Sequence, residues 1–262
     1  MIPQNRLQEI ESWFENYVSQ FKSPDPTYTK NIQLKKDHTY RVCDEIIRLG
    51  KSLDLSSQDL NLAKTMALLH DLGRFEQYDR YQTFDDHKSE NHAQLSLQVI
   101  TQEKVLKGID GASQKLIKCV ISYHNRASVP TNETKRCLFF SRLLRDADKL
   151  DILYVVTEYY QSRDKHTNQS LELELPDTPQ ISDRVYHDLL SEKIVNAGHV
   201  QNLNDFKLLQ MAWIYDINFP HTYKLIKKRK YLEKIREALP PSPKVKELYT
   251  FVKSYLEKNM DS

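Results

Sequence analysis

Thr65-Met-Ala-Leu-Leu-His-Asp-Leu-Gly73 is an apolar run that ends on a histidine beside an aspartate. Ala63, two residues before it, shares a helical face with Met66, Ala67, His70 and Asp71, so the run reads as the last turns of a buried helix. A His and an Asp in sequence at a helix end can turn an imidazole nitrogen and a carboxylate oxygen toward one point. That is a seed for a metal ion. The seed becomes a site only if donors from other helices reach it.

The chain outside this run favours helices. It has 262 residues, five of them glycine, and Pro130 is the only proline between Pro26 and Pro176. So few breakers over so long a stretch predict long helices and an all-α fold. The length suits a sizeable core. Helices are expected at about 5–21 and 31–49, the second closed by Gly50 as a C-cap. A third, capped by Ser56 or Ser57, should end at Gly73. Others follow at about 90–101, 112–123 and 135–161, with loops at 79–88 and 125–134. Beyond these, Leu171-Glu-Leu-Glu-Leu175 alternates with period two and predicts a short strand or extended segment. Helices should resume at about 181–196, 202–217, 220–237 and 243–259. The expected organisation is a helical bundle over 1–165 with a C-terminal helical extension, 166–262, packed on it.

Composition limits the partners. A net charge of +2 gives no general case for binding a nucleic acid polymer or a membrane surface. The local run Lys224-Leu-Ile-Lys-Lys-Arg-Lys230 reads as a solvated helix face. No apolar run reaches the roughly 20 residues of a membrane span, and the N-terminus lacks a signal-peptide pattern. Cys43, Cys119 and Cys137 show no CxxC spacing. Cys43 and Cys119 fall on helix-core positions, as reduced thiols of a cytosolic protein would. A cytoplasmic location is expected. A homodimer paired through terminal helices is allowed by the pattern.

Four histidines fall on apolar helix faces. His38 aligns with Leu34, Val42, Ile46 and Leu49, and His124 with Ile117, Val120 and Ile121. His92 opens a face with Leu95 and Val99; His87 competes with it from the polar loop. One inward histidine is usually a hydrogen-bonded core residue. Four of them, with a carboxylate at the end of an apolar run, change that balance. A buried carboxylate without a partner costs several kcal/mol, and a bound cation removes that cost. The last piece is Arg145-Asp-Ala-Asp-Lys-Leu-Asp151, on an otherwise apolar helix. Periodicity alone does not choose between Asp146 and Asp148, and Asp151 can be read as a solvated charge.

The order His38, His70-Asp71, Asp148 resembles the H…HD…D signature of the HD-domain superfamily of metal-dependent phosphohydrolases. The contexts Leu-Leu-His-Asp-Leu-Gly at 68–73 and Ala-Asp-Lys-Leu at 147–150 support the resemblance, which covers about residues 30–160. The resemblance implies an HD-domain-like helical bundle and makes Asp148 the last ligand, with Asp146 behind it. His92 and His124 extend it to the H…HD…H…H…D pattern of members with two ions. The family's Gly-Tyr-Pro motif is replaced here by Tyr123-His-Asn-Arg126, which argues against the cyclic di-guanylate subgroup. Gly73-Arg-Phe-Glu-Gln-Tyr78 is similar to bacterial HD proteins whose substrates are not assigned.

By this resemblance the metal ligands are His38, His70, Asp71, His92, His124 and Asp148, holding one or two ions. Imidazole and carboxylate donors suit Mn, Fe, Co, Ni or Zn better than Mg. Such an ion would acidify a bound water and polarise a phosphoryl oxygen. The implied enzyme hydrolyses a small phosphorylated molecule, a nucleotide first among candidates. Asp71 would bridge two ions. With one ion, His92 and His124 would contact phosphate or protonate the leaving oxygen. Arg74, Lys149 and Arg126 are the candidate phosphate-binding cations; for each the alternative is an ordinary surface cation or a salt bridge with a loop acid such as Asp85 or Asp86. Two other functions stay open: di-iron oxygen chemistry in the same superfamily, and a non-catalytic ligand-sensing domain with a structural metal. The role of 166–262 is not legible.

Overall fold

A computed structural model describes residues 2–163 and 167–260. Among these residues every regular element is a helix. The chain divides into two compact units, 1–151 and 152–262. The division falls inside a long helix, whereas the boundary expected at 165/166 lies outside the described residues.

The first unit begins with α1 (Gln4–Val18), which buries Leu7, Ile10, Phe14, Tyr17 and Val18 on one face. Next comes α2 (Pro26–Ser52). Asp25 caps it, accepting from Thr27 N, and Pro26 takes the first turn, where a missing N–H costs nothing. The helix therefore starts five residues before the expected Asn31. It also runs through Gly50 to Ser52. Gly50 is not a C-cap: a Cβ there would lie 2.6 Å from Leu60 Cδ2, so the residue lets α2 approach α3 (Ser57–Leu69). Ser56 caps α3 by accepting from Asp59 N.

A second correction concerns Gly73. It starts a helix, α4 (Gly73–Tyr81), after a three-residue turn, rather than ending one. Its Cβ would stand 2.2 Å from the His92 carbonyl oxygen and 2.6 Å from both Leu95 Cβ and Ser96 N. The missing side chain is what lets α4 lie against α5 (His92–Gln102). Asn91 caps α5 through Gln94 N, and Asp110 caps α6 (Gly111–Tyr123) through Ser113 N. Such caps are each worth about 1 kcal/mol. Then α7 (Lys135–Ser162) carries Phe140, Leu143, Leu144, Ala147 and Leu150 into the core. Phe14 and Phe75 are fully buried and meet edge to face, with ring centroids 6.0 Å apart. Burying each ring contributes about 2–3 kcal/mol.

The second unit is helical as well. Leu171–Leu175 is not a strand. Asn168 accepts from Ser170 N and Leu171 N and starts the single turn α8 (Gln169–Glu172). Leu173 and Glu174 then adopt left-handed backbone, with φ of 52° and 56°, which no strand accommodates. The next helix, α9 (Asp183–Leu190), is shorter than expected, and α10 (Leu203–Ala212) tightens into a 3₁₀ turn at Trp213–Asp216. The expected 220–237 helix is two, α11 (Pro220–Lys228) and α12 (Tyr231–Glu237), broken at Lys230 with φ of 56°. Within the basic run, Lys224, Lys227, Lys228 and Lys230 are exposed while Leu225 and Ile226 are buried, the solvated face expected. The last helix is α13 (Pro243–Lys258), capped by Ser242. No helix among the described residues is long and apolar enough to cross a membrane.

Candidate metal centre

The turn between α3 and α4 presents His70 and Asp71. Ser96 of α5 anchors it: its hydroxyl accepts from Gly73 N at 2.8 Å and lies 2.7 Å from the His70 carbonyl and 2.9 Å from that of His92. His38 comes from the middle of α2, His92 from the first turn of α5 and His124 from the C-terminal end of α6. Asp148 comes from α7. All four imidazoles and Asp71 are buried, with exposures of 0–6%.

Each imidazole is fixed through Nδ1. That of His38 is 2.7 Å from Asp151 Oδ2, and that of His92 is 2.7 Å from Asp86 Oδ2. His70 Nδ1 donates to the Ala67 carbonyl and His124 Nδ1 to the Ile121 carbonyl, both at 2.7 Å. A carbonyl only accepts, so in those two rings Nδ1 carries the proton and Nε2 is the nitrogen free to ligate. An Nδ1 hydrogen bond of this kind sets ring orientation in metal sites.

The four Nε2 atoms then gather on two carboxylates. His38 Nε2 is 3.2 Å from Asp148 Oδ1 and 3.5 Å from Asp71 Oδ2. His70 Nε2 is 3.7 Å from Asp148 Oδ1 and 3.8 Å from Asp71 Oδ1. On the other side, His92 and His124 Nε2 are 3.4 and 3.5 Å from Asp71 Oδ1 and 3.0 Å from each other. Two donors about 2.1 Å from one ion and at right angles are themselves about 3 Å apart. The buried Nε2 atoms of His38 and His70 have no hydrogen-bond partner, an arrangement costing about 1–3 kcal/mol per group unless a ligand takes the lone pair. The donor set fits one or two divalent transition ions, with Asp71 facing both halves.

The electrostatics agree. Burial raises the Asp71 carboxyl, but Lys35, His70, His124 and His92 overcome it and hold it well below the usual range. Burial likewise opposes charge on Asp148, and His38 and His70 outweigh it. Both carboxylates are therefore anionic. Burial, helped by the nearby Arg74 charge, pushes His92 down to about 3 despite Asp86. Burial would also lower His38, yet Asp148 and Asp151 carry it up to about 9.

The structure thus brings together all six expected ligands. His87 is exposed in the loop. Asp146 is fully buried. Arg74 is taken up by the salt-bridge alternative: its Nη1 bonds Gln77 Oε1, the Phe84 carbonyl and Asp86 Oδ1 at 2.7, 2.5 and 3.0 Å. Its Nε still faces Asp71 Oδ1 at 3.8 Å. Lys149 is buried beside Asp148. Arg126 is exposed and stacks on the Tyr123 ring, 4.7 Å from its centroid, not on the cluster. Three residues were missed. Asp151 is buried, not solvated, and holds both His38 and Arg41. Asp86 orients His92. Lys35 places Nζ 3.1 Å from Asp71 Oδ2; its position one turn before His38 on the same helix was the available signal.

An HD domain family model matches residues 36–153, the stretch that contains all six donors. No curated protein and no solved structure gives a significant match to the chain. The H…HD…H…H…D donors converge inside that stretch, so residues 36–153 are similar to the HD domain family in both sequence pattern and site geometry.

Proposed function

We propose that the protein is a metal-dependent phosphohydrolase acting on a small phosphorylated molecule, with nucleotides the leading substrate class. The observation that carries this reading is the convergence of four Nδ1-anchored imidazoles on Asp71 and Asp148. A divalent ion held there supplies an acidified water and polarises a phosphoryl oxygen. Asp71 turns Oδ2 toward His38 and Oδ1 toward His92 and His124, so it is the carboxylate suited to be shared between two ions. Lys35 Nζ and the Arg74 Nε lie 3.1 and 3.8 Å from its two oxygens and add positive charge beside the site. Lys35 is the cation we assign to the phosphate, since Arg74 Nη1 is engaged by Gln77, Phe84 and Asp86. His92, held down to about 3 by burial and Arg74, has no proton to give at neutral pH. That favours a ligand role for it over protonation of a leaving oxygen.

The six-donor set equally suits a di-iron centre for oxygen chemistry, which is the second reading. Elemental analysis of the purified protein, read beside a phosphate-release screen of nucleotides and a generic phosphoester with Mn²⁺, Co²⁺ or Ni²⁺, separates the two. Phosphate release is expected. Inactivity across the whole panel would overturn the hydrolase reading, and iron at both positions with oxygen uptake would put the second in its place.

A further inference from the structure

Five residues before His124, α6 carries Cys119, and its thiol meets Cys137 of α7. The two Sγ atoms are 3.0 Å apart, although eighteen positions separate them in the chain. A third donor joins them. Glu133, at the end of the loop between α6 and α7, offers a carboxylate oxygen, and one donor atom from each of the three residues lies within 4.8 Å of the others. The Tyr123 hydroxyl donates to Glu133 Oε1 at 2.6 Å and fixes the carboxylate. Cys137 is 2% exposed, while Cys119 and Glu133 are half-buried, so the group is walled by two helices and reachable from one side.

We propose that Cys119, Cys137 and Glu133 form a second cation site, for a thiophilic divalent ion such as zinc, separate from the imidazole centre. Two sulfurs each about 2.3 Å from a tetrahedral ion lie about 3.8 Å apart, so the thiols need to part by less than an ångström. Binding replaces the two thiol protons, which leave to solvent, and gives two thiolate bonds and one carboxylate bond; no oxidant is required. Without an ion, burial and the neighbouring Cys119 push the Cys137 thiol up to about 12, and a coordinating cation removes that proton outright. A disulfide is the competing use of the pair. A disulfide would not engage the Glu133 carboxylate beside the two thiols, whereas an ion uses all three donors, which is why the ion is favoured. Its consequence is structural: the ion clasps α6 to α7 at the base of the loop that follows His124. The same loop is already tied to α7 by Arg145 Nη1, which donates to the His124 and Arg126 carbonyls at 3.0 and 2.5 Å.

The test is a cadmium titration of the reduced full-length protein, followed by the ultraviolet charge-transfer band of cadmium thiolate, which imidazole and carboxylate ligands do not produce. The band should saturate at one equivalent in the wild type and persist in Asp71→Ala, so the result does not depend on the imidazole centre. It should vanish in Cys119→Ser and Cys137→Ser. In Glu133→Gln, which leaves the buried thiols in place, the apparent affinity should fall by about tenfold or more. No band in the wild type, or one that survives Cys137→Ser, would overturn the site. So would a thiol count on the unreduced protein, denatured with a chelator present, in which Cys43 alone reacts, because the pair would then be a disulfide.

Discussion

His38 is gripped from both sides by one helix: its Nδ1 lies 2.7 Å from Asp151 Oδ2 and its Nε2 3.2 Å from Asp148 Oδ1, three positions earlier on α7. The first contact orients the ring and the second shares its target. Asp151→Asn should therefore weaken metal binding about 10–100-fold while leaving the helices folded. Competition against a chelator, with circular dichroism as the folding control, measures this. Wild-type affinity in the variant would show that Asp151 serves only Arg41.

Asp71 and His92 should be separable by stoichiometry. Asp71→Ala removes the one carboxylate that faces all four imidazoles, and should abolish metal binding or turnover with helix content retained. His92→Ala should halve the metal content if two ions bind. An unaltered content of one ion per chain would settle on a single-ion centre.

Gly73→Ala should be costly. Its methyl group would lie 2.2 Å from the His92 carbonyl oxygen, so α4 and α5 must separate. Overpacking of this kind costs about 1–3 kcal/mol, and here it also displaces a ligand-bearing turn. A lowered denaturation midpoint together with reduced metal content is expected; a midpoint equal to wild type would contradict the close packing.

The ion-free protein should lose stability as the solution becomes alkaline. Folding raises His38 from its ordinary 6.5 to about 9, against burial and through Asp148 and Asp151. The folded state then binds the extra proton, so the stabilisation is complete below about pH 6.5 and fades as the pH climbs through 9. Chelated wild type and chelated Asp151→Asn, compared by urea midpoint across that window, should differ in slope. Parallel curves would count against the charged imidazole.

Much of the centre was legible because burial and helical period are one signal. Apolar neighbours at three- and four-residue spacing placed His38, His70, His92 and His124 inward, and all four are buried. The same signal failed where side chains meet across helices. Nothing in the spacing of Asp151 tells that His38 and Arg41 are waiting for it. Gly73 and Gly50 looked like helix ends, since glycine closes helices, whereas here each makes room for a neighbour. Leu171-Glu-Leu-Glu-Leu175 alternated like a strand, but the Asn168 cap and two left-handed residues prevailed over the pattern. The thiol pair was invisible because Cys119 and Cys137 sit on different helices; Cys119 proved half-buried rather than core.

Of the four ring tethers, two are main-chain carbonyls three residues upstream, Ala67 for His70 and Ile121 for His124, and two are the side chains Asp151 and Asp86. Each half of the cluster has one of either sort. Drift in sequence cannot easily remove a peptide oxygen, so His70 and His124 keep their aim whatever replaces their neighbours. The electron-donating strength of His38 and His92 can instead be retuned by single substitutions one step away from the ion. The protein thus has a dial on each half, and an invariant reference beside it.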